Sequence, residues 1–119
     1  KIDSEELKVD KINIIEKMTT DMSGVLVAKN DSTIISDGLN GYINLTGNPG
    51  LATAGTGDVL SGVIASVISQ GYNSLESSIV STYIHGLAAD NQSNSISQRG
   101  LIASDLLIQI GKILSGYEL

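Results

Sequence analysis

The chain has no cysteine, no tryptophan and no phenylalanine, and only one proline and one histidine among its 119 residues. Without cysteine there are no disulfides, no thiolate metal sites and no Cys-x-x-Cys redox chemistry. A single histidine excludes any site built on several imidazoles. Basic residues are also scarce: seven Lys and Arg stand against thirteen Asp and Glu, for a formal net charge of −6. A nucleic-acid binder needs a basic stripe to displace phosphate counterions, so that class of partner is not expected. The longest aliphatic runs are about four residues, whereas a membrane-spanning helix needs roughly 18. No charged-then-apolar leader opens the chain. What is present is a 41% hydrophobic content, enough to bury a core. At roughly 150 residues per domain the length allows one domain at most. Thirteen glycines occur without low complexity, and the first residue is Lys1 rather than Met. The latter leads us to expect a piece of something longer.

From Asp10 to Met22 the apolar positions Ile12, Ile14, Ile15 and Met18 alternate with charge at helical spacing. Lys1 to Val9 has no clear period and reads as an entry segment. After Gly24, the run Val25-Leu26-Val27-Ala28 reads as a strand buried on both faces, as in a parallel sheet. Thr33-Ile34-Ile35 and Tyr42 to Leu45 read as two more strands, separated by the turn dipeptides Asp37-Gly38 and Asn40-Gly41. The period then changes. Val59, Leu60, Val63, Ile64, Val67 and Ile68 form a helical stripe, and the small residues opposite it (Ser61, Gly62, Ala65, Ser66, Ser69) suggest close packing on a second side. Gly71 is a helix stop. Asn73 with Glu76 predicts the start of a second helix, and a third begins near Ser104 with Leu106, Leu107, Ile110, Ile113 and Leu114 on one face. Asn91 to Arg99 reads as a solvated polar loop, and Tyr42 and Tyr72 as packing residues at element ends.

Four glycines fall within eleven residues, Gly47, Gly50, Gly55 and Gly57, just where the first helical stripe begins. Glycines let a backbone approach a ligand closely. The first turn of a helix leaves N–H groups unpaired and carries about half a positive charge. Such a loop can hold a phosphate by backbone alone, which suits an acidic chain. Two familiar motifs do not match. A P-loop needs Lys then Ser or Thr after its second glycine, and Thr56-Gly57 stands there. A dinucleotide fingerprint needs a third glycine where Leu60 stands. Asp58, at the mouth of the helix, has two open readings: a helix cap, or a base beside a phosphate site. Lys29 read alone is a solvated charge at a strand end, and His85, among Tyr83, Ile84 and Leu87, a packed and hydrogen-bonded core histidine.

Gly55-Thr56-Gly57-Asp58 opening a small-residue helix resembles the signature of the ribokinase-like superfamily. The longer string Gly47-Asn48-Pro49-Gly50-Leu51-Ala52-Thr53-Ala54-Gly55-Thr56-Gly57-Asp58-Val59-Leu60-Ser61-Gly62 closely resembles the ADP- or ATP-dependent NAD(P)H-hydrate dehydratases. His85-Gly86-Leu87-Ala88-Ala89-Asp90 and Gly100 to Leu106 resemble that family's following segments, except that Ala89 stands where the family usually has Gly. The likeness runs from about Gly24 to Leu114.

The resemblance implies a ribokinase-like three-layer α/β/α sandwich, of which residues 1–119 would be the C-terminal half, with the N-terminal portion of the domain absent. It implies that Lys29, Asn30, Asp31, Ser32 and Thr33 contact an adenine nucleotide, although the family commonly has Gly at Asn30. Gly57 would meet the nucleotide phosphate, and Gly55, Thr56 and Gly57 would form an anion hole. Asp58 would contact the hydroxyl of the hydrated nicotinamide and act as base. The implied co-substrate is ADP or ATP with Mg2+, whose protein ligands these residues do not identify. The implied substrates are hydrated NADH and NADPH. Implied partners are the missing half of the domain, in this or another polypeptide, and further copies of the chain; the implied location is cytoplasmic. The competing expectations are another ribokinase-like kinase acting on a vitamin or sugar hydroxyl, and a non-catalytic nucleotide-binding or interaction module.

Overall fold

The computed structural model describes residues 10–20 and 22–117; the entry segment read at Lys1 to Val9 lies outside them. Helix α1 (Lys11–Thr20) is followed by strands β1 (Leu26–Ala28), β2 (Ile34–Ser36) and β3 (Gly41–Ile43). Three longer helices complete the chain: α2 (Thr56–Ser69), α3 (Ser74–Ser93) and α4 (Ala103–Ser115). Short 3-10 turns at Pro49–Leu51 and Gln98–Gly100 precede α2 and α4.

The strands form one sheet in the order β1-β2-β3, and both pairings are antiparallel. Val27 pairs with Ile35, and Ile35 with Tyr42. The parallel pairing read into Val25 to Ala28 is therefore not present among the described strands, and β1 is only half-buried. The connections explain this. Five residues join β1 to β2 and four join β2 to β3, too few for the crossover that a parallel pair requires.

Alternation along β2 sets the layers. Ser36 faces α1, where its hydroxyl meets that of the buried Thr19 at 3.2 Å. Ile35, 1% exposed, faces the opposite side with Ile84 of α3. The result is helix, sheet, helix: a small but three-layered α/β unit. In α1 the inward positions are Ile15 and Thr19, one turn apart, while Ile12 and Met18 are exposed.

The main core lies among the later helices. Ile84, Ala88 and Ala89 of α3 pack with Leu101 and with Leu106 and Ile110 of α4, flanked by Leu51, Val59, Val63 and Ile113. A buried Leu such as Leu106 contributes about 1.5–3 kcal/mol relative to its exposure. Caps fall where the turn residues predicted them. Asn73 Oδ1 accepts from the Glu76 N–H at 2.9 Å, and Gly71 takes φ +97° just after α2. Helix α3, however, continues to Ser93, into the segment read as loop. The small residues Ser61, Gly62, Ala65, Ser66 and Ser69 are exposed rather than packed. No described helix is long and apolar enough to cross a membrane.

One apolar face is left open. A groove of about 600 Å3 runs between β3, α3 and the end of α4. Its lining includes Tyr42, Leu45, Val80, Tyr83, Leu114 and Tyr117, all exposed. Tyr42 thus lines this groove instead of closing an element end, and Tyr72 is likewise exposed.

Candidate active site

The loop between β3 and α2 is held by α3. Thr46 donates from Oγ1 to the Tyr83 carbonyl at 2.9 Å. Asp90, two turns along the same helix, accepts from the Gly47 N–H at 2.8 Å and from Asn48 Nδ2 at 2.9 Å. Asn48 Oδ1 in turn accepts from the Gly50 N–H at 3.0 Å, starting the 3-10 turn. One carboxylate therefore sets the first half of the glycine segment. Asp90→Ala should cost about 2–3 kcal/mol, the range for a lost hydrogen bond to a charged group plus a stranded donor. Asp90→Asn keeps one acceptor and should recover part of that loss; urea denaturation midpoints of the two variants check the order.

The second half forms the mouth of α2. Gly55 takes φ +87° at the N-cap, a conformation that side chains disfavour. Thr56, 2% exposed, donates from Oγ1 to the carbonyls of Leu51 at 2.7 Å and Thr53 at 3.0 Å. Its N–H is directed at the Thr53 carbonyl at 3.4 Å. Of the donors expected at the anion hole, Thr56 is thus partly engaged, while the N–H groups of Gly55, Gly57 and Asp58 meet no acceptor among the described residues. Lys29 reaches this mouth: its Nζ lies 3.0 Å from where a Cβ on Gly57 would stand. Unpaired N–H groups, a helix dipole and an ammonium converge on one point.

His85, 3% exposed, places Nε2 2.9 Å from the Thr56 carbonyl. Burial holds its imidazole below the ordinary histidine value; the bond to Thr56 opposes this, and the charge of Lys29 adds to it. A folded pKa below the unfolded one means that the unfolded chain binds the proton more readily. The stabilisation is therefore present above the unfolded value, about 6.5, and lost as pH falls through the folded one. Denaturation midpoints at neutral and mildly acidic pH should separate less in His85→Gln than in the parent.

A cavity of about 540 Å3 opens beside the mouth. Lys29, Asn30, Asp31 and Thr33 line one side, Thr46 to Pro49 another, and Thr82, His85 and Gly86 of α3 a third. The Thr82 hydroxyl is buried and has no hydrogen-bond partner among the described residues.

The structure brings Lys29, Asn30, Asp31 and Thr33 to this cavity, with Lys29 against Gly57. Ser32 is exposed and does not line it. The Asp31 carboxylate pairs with Lys11, which with the Ser32 N–H holds it below the usual carboxylate range. Asn30 does not adopt a positive φ, so the glycine that the family carries there is not replaced for its conformational freedom. Asp58 is exposed in the first turn of α2, and its side chain accepts no hydrogen bond from the described residues. The N-cap is Gly55, so the capping reading of Asp58 does not hold. Thr46 and Thr82 were not singled out from the sequence, and Asn48 and Asp90 only as parts of strings. Gly86 and Asp90 one helical turn apart, facing an Asn-Pro loop, were the available signal.

The profile of a family described as NAD(P)H-hydrate dehydratase matches residues 2–112. A bifunctional NAD(P)H-hydrate repair enzyme Nnr from Moorella thermoacetica is 38% identical over 115 residues, covering 95% of this chain and 22% of that protein. An ADP-dependent (S)-NAD(P)H-hydrate dehydratase from Neisseria meningitidis serogroup B is 35% identical over 104 residues, 85% of this chain and 35% of that one. Among solved structures, Bacillus subtilis YxkO shares the fold at a TM-score of 0.92 and 24% identity, over 98% of this chain and 44% of that chain. An ADP/ATP-dependent NAD(P)H-hydrate dehydratase from Bacillus subtilis, co-crystallized with ATP/Mg2+, superposes at 0.89 with 25% identity, over 96% and 42%. The chain thus spans about a fifth of the bifunctional relatives and under half of the solved chains.

Proposed function

The chain belongs to the NAD(P)H-hydrate dehydratase family, and we propose that it carries the phosphoryl-transfer end of a site that returns hydrated NADH and NADPH to their reduced forms. The observation that carries this reading is the convergence of the Lys29 ammonium with the unpaired N–H groups of Gly57 and Asp58. Nucleotide phosphates would lie there, with Lys29, Asn30, Asp31 and Thr33 along the nucleotide and Asp58 on the side of the substrate hydroxyl. The remaining portion of the α/β domain completes the site and covers the apolar groove. We further propose an assembly of several copies and a cytoplasmic location.

Hydroxide leaves a carbon reluctantly. Asp58 takes the proton of the ring hydroxyl while its oxygen attacks the terminal phosphorus of the nucleotide, which departs one phosphate shorter. The ester's C–O bond then breaks, pushed by the ring nitrogen; phosphate leaves with the electron pair, and loss of a proton from the neighbouring carbon restores the dihydronicotinamide. Such transfers depend on positioning and electrostatic stabilisation, which Gly55 to Asp58 and Lys29 supply. No group of three or more His, Cys, Asp or Glu capable of holding a metal occurs among the described residues. That suits a Mg2+ ion held mainly by the nucleotide's phosphates, whose charge it would offset when bound.

The family match favours repair over a vitamin or sugar kinase, and over a non-catalytic module. With the remainder of the domain supplied and Mg-ADP or Mg-ATP present, hydrated NADH should regain reduced-nicotinamide absorbance. Phosphorylated vitamin alcohol appearing instead would favour the kinase, and nucleotide binding with neither reaction the module.

A further inference from the structure

A carbonyl within the first turn of a helix already accepts from the N–H four residues on. The Thr56 carbonyl therefore needs no second donor to be satisfied. It has one nonetheless: a histidine brought from another helix, buried at a desolvation cost that an apolar residue would not incur. Because this carbonyl can only accept, His85 must carry its proton on Nε2. The peptide unit joining Thr56 to Gly57 is planar and trans, so its N–H points opposite to its C=O. Pinning the carbonyl thus fixes the direction of the Gly57 N–H, and Lys29 Nζ stands beside the same residue, 3.0 Å from where a Cβ would be. The same unit is braced at its other end by the Thr56 hydroxyl on Leu51 and Thr53.

We propose that His85 is a positioning residue for phosphate binding: through the Thr56 carbonyl it fixes the orientation of the Gly57 N–H at the mouth of α2. It touches no reacting atom. Its effect falls on one donor, in a site where a charge-assisted bond to an oxyanion loses strength steeply with misalignment. The proposal rests on the nucleotide reading of that mouth, but the geometry it asserts exists without ligand.

The test uses His85→Gln, which can present an amide N–H at similar reach, and His85→Leu, which cannot. In 15N-labelled protein without ligand, the Gly57 amide cross-peak should move in His85→Leu and return towards the parent position in His85→Gln. Isothermal titration with Mg-ADP should show about a tenfold weaker Kd in His85→Leu at a temperature where both variants are folded, and recovery to within about threefold in His85→Gln. An unmoved Gly57 amide in His85→Leu overturns the proposal, as does a Gln variant no better than Leu in both measurements. If the parent itself does not bind Mg-ADP while the amide responds as stated, the nucleotide reading fails and the positioning stands.

Discussion

Asp58→Asn is expected to lower kcat by about 10²- to 10⁴-fold, the range lost when a positioned proton acceptor is removed. Asn keeps the size of the side chain and one carbonyl oxygen, so the hydroxyl it faces can still be held. It cannot take the proton, and the attacking oxygen stays a poor nucleophile. Two features of the site separate this result from simple damage. Asp58 is exposed and accepts no hydrogen bond from the described residues, so no cap is lost. Removing one carboxylate from the first turn of α2 forfeits about 0.3–1 kcal/mol of interaction with the helix dipole, which shifts stability only slightly. Nucleotide affinity should hold or tighten, because a negative charge beside the phosphates has gone. Turnover of hydrated NADH by the completed domain, measured beside Mg-ADP titration, gives both numbers. A variant that retains activity within threefold of the parent would remove Asp58 from the chemistry.

What could be read from the residues divides along a physical line. The glycine segment, the helix starts at Asn73 and near Ser104, and the stop at Gly71 are local: each depends on a residue type acting on its own backbone. The structure places the caps and helices there. Pairing direction in the sheet was lost because Val25 to Ala28 looks alike in either arrangement, and only the short connections decide. The true end of α3 was missed because Ser and Asn are weak helix formers and flank the one good former, Gln92, so Asn91 to Ser93 read as loop. A longer-range contact is made there, the Gln109 side chain donating to Gln92 at 2.6 Å. The exposed small face of α2 and the open groove are the surfaces that the proposed remainder of the domain would cover. Apolar and small residues record what a segment packs against in its whole assembly, and this chain spans under half of the solved chains it resembles. The residues that meet at the cavity and at the mouth of α2 could be picked out in the sequence, but what supports them could not. Asp90, His85 and Thr46 act across 29 to 43 residues of sequence, beyond the reach of any local pattern.

Gly86→Ala is expected to be among the most destabilising small substitutions in the chain. An alanine Cβ there would stand 2.2 Å from Thr46 Oγ1 and 2.6 Å from the Thr46 carbonyl carbon and oxygen. Gly to Ala inside a helix ordinarily gains about 0.5–1 kcal/mol, because alanine loses less chain entropy. Here the sign reverses, since two backbones must part. Inserting a methyl group into a packed contact costs typically 1–3 kcal/mol. With main chain on one side and a helix on the other, the upper end of about 3 kcal/mol is expected. At about 4–8 °C per kcal/mol for a domain near this size, the thermal midpoint should fall by roughly 12–24 °C. Gly111→Ala is the matched control: it lies inside α4 with nothing within 4 Å of its new Cβ, and its midpoint should rise. Equal shifts in the two variants would show that the approach of Thr46 to α3 carries no energy. Thr46→Ala should rescue only part of the Gly86→Ala loss, because it removes the 2.2 Å clash with Oγ1 but leaves the 2.6 Å clash with the carbonyl. The remainder is the cost of moving the chain itself, and Gly47 and Asn48 move with it. Their bonds to Asp90 then lengthen together, so Mg-ADP affinity should fall in Gly86→Ala even at temperatures where the variant is folded. That coupling distinguishes a glycine that merely fits from one that seats the site.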